Sequence, residues 1–466
     1  MTIDHEFAEL LPETRRALLH RIAVAQSEGR APSLVAAVVR DGRPVWTGAR
    51  SCVDGHAPDQ HTQYRIGSLT KLFVAVLVLR LRDEGLLDLA DPLGRRLDAP
   101  REAADVTIAQ LLTHTSGLAA ESRGPWWERT SGELRPERAD LLGDRPVIHP
   151  AGRRFHYSNT GFALLGAVVE ELRGAPWDEV LRREVLEPLG MDRTTSQPQA
   201  PHAGGWAVHP FADVLLPEPA TETGLMAPAG QLWSTTEDLA RWAAFLLDGD
   251  ERVLSAGTLA EMRTATAVPD RDRDRDWGLG IQLTRDNGRQ LFGHGGSMPG
   301  FLAQLWISPE DRLAAVVLSN ATSGPAVGAT AADLIRIVAE REPRIPEPWR
   351  PLPEAEADAD LLALTGLWFW GSAPFVLRLR AERGLELAMA DGPSARAARF
   401  RAEEDGTWTG LEGYYDGETL RVVPGAGGFG AADTHLDVGT FVFTRQPYGP
   451  GGAVPGGVDP EGWRGL

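Results

Sequence analysis

A single cysteine, Cys52, stands in a chain of 466 residues. One thiol excludes an internal disulfide and leaves nothing for a thiolate metal site. Long apolar runs are scarce as well, since no uninterrupted segment approaches the roughly 20 residues that a membrane-crossing helix needs. The first 25 residues put Asp4, Glu6, Glu9, Glu13, Arg15 and Arg16 where a secretory leader requires an apolar core, so the expected compartment is the cytoplasm. Positive charge is outweighed too, with 47 Lys and Arg against 65 Asp and Glu, a formal net charge of -18. That balance argues against nucleic-acid backbones and anionic membrane surfaces as partners. What remains, 42% hydrophobic and 24% charged residues, is the make-up of an ordinary globular protein with a large core, long enough for two or three domains.

The stretch that organises the chain is Tyr64-Arg65-Ile66-Gly67-Ser68-Leu69-Thr70-Lys71, which runs into the apolar residues Leu72 to Leu79. Arg80, Arg82, Asp83 and Glu84 follow before Gly85, a pattern that predicts a helix with its middle in a core. Ser68 then sits at the helix N-terminus, and Lys71, three positions on, falls on the same face. Free N–H groups and the positive end of the helix dipole favour negative charge on the Ser68 oxygen. Serine is also an ordinary N-cap residue, and a lysine three positions later occurs by chance in many chains. The pair gains weight only from the rest of the sequence.

In chain order, residues 6 to 28 read as an amphipathic helix, and Leu34 to Val39 with Val45-Trp46 as a hairpin across Asp41-Gly42. Ile108 to Thr115 reads as a short helix ahead of a loop-rich stretch, Ala119 to Ile148, in which Trp126-Trp127 either line a cleft or anchor the loop. Tyr157-Ser158-Asn159 precedes an apolar helix from Phe162 to Leu172. Tyr157 is a candidate proton relay and Asn159 a partner for a lysine or a substrate amide, against the plainer roles of buried ring and helix cap. Thr236 to Leu247 is a helix opened by a capping sequence. The alternating charges from Asp270 to Asp276 predict a solvated loop. Next come Phe292-Gly293-His294-Gly295-Gly296-Ser297, between strand patterns at Gly278 to Leu283 and Phe301 to Ile307, with a further strand from Leu313 to Leu318. Glycines around His294 allow a backbone to approach a ligand closely.

Ser68-x-x-Lys71, Tyr157-x-Asn159 and His294-x-Gly296 occur in this order and at these separations in the penicillin-recognising serine hydrolases. The chain most resembles the class C beta-lactamase-like branch, which includes D-aminopeptidases, D-peptidases and esterases. Leu111-Leu112-Thr113-His114-Thr115-Ser116-Gly117-Leu118 and Glu187-Pro188-Leu189-Gly190-Met191 add to the likeness, which spans roughly residues 10 to 340. The resemblance implies an α+β fold, an antiparallel sheet flanked by helices, and catalysis without a metal or cofactor. It implies that Ser68 forms an acyl-enzyme with an ester, amide or peptide substrate, with backbone N–H groups of Ser68 and Ser297 as the oxyanion hole and Gly295 and Gly296 beside the substrate. For Lys71 to act as the base its pKa must fall from about 10.4 to about 7, a shift that burial can supply. Tyr157 is the second candidate, its phenolate favoured by a nearby cation. Many relatives carry lysine at the position of His294; a histidine, mostly neutral at pH 7, suits a free substrate carboxylate less well.

Residues 341 to 356 are a proline-rich linker. Beyond them, Gly366 to Trp370, Phe375 to Arg380, Leu385 to Met389, Phe400 to Ala402, Thr407 to Leu411, Thr419 to Val423 and Leu436 to Thr444 are short strand patterns that predict a small antiparallel barrel. It resembles the lipocalin-like C-terminal domain of some family members. The domains expected are the hydrolase at 1–340, the linker at 341–356, the barrel at 357–447 and a Gly/Pro-rich tail at 448–466. The same arrangement resembles penicillin-binding-protein-type thioesterases that cyclise or transfer nonribosomal peptides. On that likeness Arg445 or Arg464 is a candidate for holding a peptide carboxylate. A non-catalytic binding module is the remaining alternative.

Overall fold

In the computed structural model the described residues are 10–130, 141–142, 145–266, 275–346, 348–353, 357–392 and 397–449. The chain divides into two compact units, Met1–Ile345 and Pro346–Leu466.

The first unit is built on one antiparallel sheet. Its strands are β1 (Ser33–Arg40), β2 (Arg43–Ser51), β7 (Arg275–Trp277), β8 (Gln282–Asp286), β9 (Arg289–Met298), β10 (Phe301–Ser308) and β11 (Leu313–Ser319), in the spatial order β2-β1-β11-β10-β9-β8-β7. Two small two-stranded sheets pair β3 (Tyr64–Arg65) with β6 (Trp233–Ser234), and β4 (Gly205–Val208) with β5 (Leu215–Glu218). Both faces of the main sheet are covered, which is why β1 and β11 are nearly continuous apolar runs instead of alternating ones. Leu34, Ala36 and Val38 pack with Val317 against Leu18 and Ile22 of α1 (Pro12–Glu28) and Leu334, Ile335 and Val338 of α6 (Val327–Arg341). On the opposite face Val35, Val39, Leu305 and Val316 join the larger core.

Helix α2 (Thr70–Asp83) runs through that larger core, with every residue from Thr70 to Leu79 buried. A helix apolar all round has to be buried all round, and the two arginines of its last turn lie at its C-terminal, negative end. Around it stand α3 (Ile108–Leu112), α4 (Asn159–Arg173) and α5 (Thr236–Asp248). Each of the three is opened by a hydroxyl that accepts a backbone N–H, from Thr107, Ser158 and Thr235 respectively.

Several sequence expectations are corrected here. The first helix starts at Pro12, since proline fits the first helical turn; residues 6–9 lie outside those described. The pattern at Gly278 to Leu283 is mostly a turn, because Gly280, at φ +75°, bends the chain between β7 and β8. The glycine-flanked histidine does not lie between strands but within β9. Of the charged stretch expected as a loop, 270–274 lies outside the described residues, and Arg275 and Asp276 open β7.

The second unit starts with α7 (Ala359–Leu364) and continues as a closed barrel. Its strands are β12 (Gly366–Trp370), β13 (Ala373–Leu379), β14 (Leu385–Met389), β15 (Ala398–Ala402), β16 (Trp408–Gly410), β17 (Thr419–Val423), β18 (His435–Val438) and β19 (Phe441–Thr444). Each strand pairs with the next, and β19 returns to β12 through Phe369 and Thr444. Leu436 to Thr444, expected as one strand, is two strands around Gly439 at φ +61°. Trp368, Phe375, Leu387, Phe400, Trp408 and Phe443 are among the side chains that fill its interior.

Candidate active site

Gly67 to Leu69 form a single 3-10 turn that leads into α2, so Ser68 stands just ahead of the helix. The turn is tied from both sides. Thr70 Oγ1 donates to the Gly67 carbonyl at 2.7 Å and accepts from Leu232 N at 3.2 Å, while Ile66 N donates to the Leu232 carbonyl at 2.9 Å. Lys71, one residue into α2, is fully buried, and its Nζ meets three oxygens: Ser68 Oγ at 3.0 Å, Asn159 Oδ1 at 2.7 Å and the Ala229 carbonyl at 2.6 Å. Burial lowers its pKa to about 7 against the opposing pull of Glu121 and Glu128. A neutral amine has two N–H donors and one lone pair. Two of its neighbours, an amide oxygen and a backbone carbonyl, can only accept, so both donors are committed to them and the lone pair is left to Ser68 O–H.

Tyr157 is half-buried and hydrogen-bonded to the Ser68 side chain; burial of its hydroxyl pushes the phenol well up against the pull of that bond, with Glu121 adding to the shift. The phenolate expected from a neighbouring cation is therefore not favoured, because Lys71, 5.0 Å from the ring centre, is itself drawn toward neutrality. Asn159 is the first residue of α4, and the helix cap is Ser158, leaving the Asn159 amide to face Lys71.

From the other side comes β9. Its pairing with β10 runs from Phe292 to Met298, whereas the register with β8 runs from Arg289 to Gly293. Residues 294 to 298 extend past that register toward the Ser68 turn. The approach is so close that a Cβ on Gly296 would lie 1.9 Å from the Ile66 carbonyl oxygen and 3.1 Å from Ser68 N, and one on Gly67 would lie 2.6 Å from Ser297 N. Gly67 also holds φ +52°, which an L side chain disfavours. The backbone of the Ser68 turn is thereby packed directly against the Gly296–Ser297 backbone. His294 is buried; its Nδ1 donates to the Gly295 carbonyl at 2.5 Å, which puts the proton on Nδ1 and leaves Nε2 an acceptor. Burial, then Lys71, lowers its pKa to about 3, so the ring is neutral throughout the physiological range.

Sequence reasoning missed several contributors. Glu121 accepts from Asn159 Nδ2 and from Trp127 Nε1, both at 2.8 Å. His114 stacks on Tyr157 with ring centres 4.3 Å apart and accepts from Ser158 N at Nδ1. Trp277 stands 5.4 Å from the His294 ring. Ala229 is invisible to pattern reading because it acts through its carbonyl, and Glu121 lies in a loop without a motif; His114 alone had a signal, in the His-Thr-Ser-Gly stretch. The two tryptophans part company. Trp127 is 4% exposed and holds Glu121, while Trp126 is 59% exposed and stacks with Arg129. Arg445 is engaged within the barrel, donating to the Thr365 and Ala363 carbonyls and lying over Trp368, which gives it a structural task in place of a free carboxylate-binding one. Arg464 lies outside the described residues.

A half-buried serine beside a buried lysine, facing a tyrosine and with a glycine strand drawn against the serine turn, is the arrangement of a serine hydrolase. The pattern of the Beta-lactamase family matches residues 16–340, and the chain belongs to that family as a beta-lactamase-like serine hydrolase. A second pattern, described as Domain of unknown function (DUF7586), matches residues 357–445. Penicillin-binding protein 4 of Amycolatopsis lactamdurans is 30% identical over 325 residues, covering 64% of this chain and 84% of its own length. Among solved structures, the octameric penicillin-binding protein homologue from Pyrococcus abyssi has a TM-score of 0.63 at 21% identity, covering 92% of this chain and 99% of that one. The D-amino acid amidase from Ochrobactrum anthropi SV3, in complex with L-phenylalanine amide, has a TM-score of 0.62 at 21% identity, covering 70% and 99%. Among the described residues no helix is long and apolar enough to cross a membrane.

Proposed function

We propose that this protein cleaves the amide or ester bond of a small amino-acid or peptide substrate through an acyl-enzyme on Ser68, with Lys71 as the general base. The observation that carries the reading is the buried lysine held between Asn159 Oδ1 and the Ala229 carbonyl with its Nζ 3.0 Å from the Ser68 hydroxyl, its pKa lowered to about 7 by burial. Lys71 takes the Ser68 proton as Oγ bonds to the carbonyl carbon; the oxygen turned anionic meets the Ser68 and Ser297 N–H groups. The neutral phenol of Tyr157 is suited to hand a proton to the departing nitrogen or oxygen as its bond to carbon breaks. Water, or an amine in an acyl transfer, then attacks the Ser68 ester by the reverse sequence.

A neutral imidazole at His294 offers no cation to a free carboxylate, which favours amides and esters over strict carboxypeptidase substrates. The amidase likeness supports the same class and extends the proposal to D-amino-acid amides. The division of labour proposed puts this chemistry in residues 1–340 and the barrel in 357–447, joined by the linker 341–356, with the cytoplasm as the working compartment. The test is mass spectrometry of the protein after incubation with p-nitrophenyl esters, D-amino-acid amides and peptidyl thioesters. An acyl adduct on the peptide that contains Ser68, lost in Ser68→Ala, is expected; an adduct that persists in Ser68→Ala overturns the reading. Product analysis in the same reactions separates hydrolysis from transfer to an amine or cyclisation.

A further inference from the structure

Glu121 belongs to none of the sequence motifs, yet both oxygens of its carboxylate are engaged. Oε1 accepts from Asn159 Nδ2 and Oε2 from Trp127 Nε1, each at 2.8 Å. Asn159 turns its other amide atom, Oδ1, to Lys71 Nζ at 2.7 Å. A primary amide can present either its oxygen or its NH2 to a neighbour, and only the oxygen lets a neutral Lys71 donate. An acceptor-only carboxylate on the far side takes the NH2 and so decides which atom Lys71 meets. We propose that Glu121 is a positioning residue for the base: braced by the Trp127 indole, it fixes the Asn159 amide so that the Lys71 lone pair is aimed at Ser68. The inference rests on the roles of Ser68 and Lys71 given under the proposed function.

Only a carboxylate suits both neighbours. Glutamine has one oxygen and one NH2, so either Asn159 Nδ2 or Trp127 Nε1 would face it donor to donor. Charge is a separate matter. Glu121 and Glu128 both favour the ammonium form of Lys71 against its burial. The other titratable groups turned toward Lys71 are Tyr157, whose burial favours the neutral phenol, and His114 and His294, both lowered by burial and by Lys71 itself; Arg65 acts on Glu128. Removing the Glu121 charge lowers the Lys71 pKa, so the pH at which the base becomes active falls.

The test is the acylation rate of the full chain by p-nitrophenyl acetate from about pH 5 to 9, where the ionisation of the base is read as the acid limb. Glu121→Gln is expected to slow acylation about 10- to 100-fold, the scale of a small misplacement of a reacting group, and to move the acid limb to lower pH. Adding Trp127→Phe removes the opposed N–H; most of the rate returns, while the acid limb stays shifted because the charge is still missing. Parental rate and limb in Glu121→Gln, or a double variant no faster than Glu121→Gln, overturns the proposal. Should the double variant fail to fold, Glu121→Ala takes its place: with no NH2 to oppose and water free to accept from Asn159, it is expected to outpace Glu121→Gln, and the reverse order overturns the proposal. Ser68→Ala in the same assay keeps the two readings apart. If it still acylates, the assignment of the nucleophile fails; if it is silent while the Glu121 variants match the parent, only the role of Glu121 fails.

Discussion

In the proposed mechanism Lys71 is the residue on which the chemistry turns, because a lysine becomes a base near neutral pH only where water is kept away from it. Its pKa falls from an ordinary 10.5 to about 7, with burial the leading cause. The amine is active when deprotonated, so acylation is expected to rise with pH along a limb centred near 7 and to level off above it. A pH series of burst rates measures this, and a limb near 10 would remove Lys71 from the role. Lys71→Arg is expected to lose about 10²- to 10⁴-fold despite keeping the charge, since guanidinium does not shed its proton. At this scale the sequence was informative where chemistry is carried by side chains at short spacing: Ser68, Lys71, Tyr157 and Asn159 all meet. Their partners Ala229, Glu121 and Trp277 come from a distant helical turn, a loop and a strand, and no local pattern announces them.

At the scale of elements, the decisive relation is between the 3-10 turn at Gly67–Leu69 and strand β9. The two backbones touch at Gly67 and Gly296, and neither position has room for a methyl group. Gly296→Ala is expected to push β9 off the turn, separate the Ser68 and Ser297 nitrogens and slow acylation by about 10²- to 10³-fold, the usual cost of one oxyanion donor. Burst kinetics read the effect, and a melting curve shows whether the fold survives; an unchanged rate would rule out this pair of nitrogens. A second close contact sets the Lys71 partner. Gly166 of α4 lies against Pro228, where a Cβ would come within 2.2 Å of the proline ring, and this places the Ala229 carbonyl beside the buried amine. Glycine in the sequence signalled that some close approach was needed, but not to what.

On the scale of the whole molecule, the hydrolase unit and the barrel each have a core of their own. The barrel closes through a single β12–β19 pairing, and Arg445 stands next to it, bonded to two carbonyls ahead of β12 and stacked on Trp368. Arg445→Ala removes those bonds and the ring contact, at a cost of about 1–2 kcal/mol. In a unit of this size that lowers the barrel's melting transition by several degrees, about 4–8 °C per kcal/mol, as calorimetry of the full chain would read. A melting profile identical to the parent's would mean that Arg445 is free for another task.

By itself the sequence determined which segments are apolar enough to be buried, the capped start of the helix at Thr236, and the order of the three short motifs. These are local properties, set by neighbours within a turn or two. It could not say that the His294 motif lies inside a strand, that the last apolar run folds back on itself at Gly439, or that Tyr157 stays a phenol. Tertiary structure decided those, along with the low pKa of Lys71 and the grip of Glu121 on Asn159. Desolvation and hydrogen-bond polarity depend on which atoms meet across the fold, and such meetings are made by packing between residues far apart in the chain.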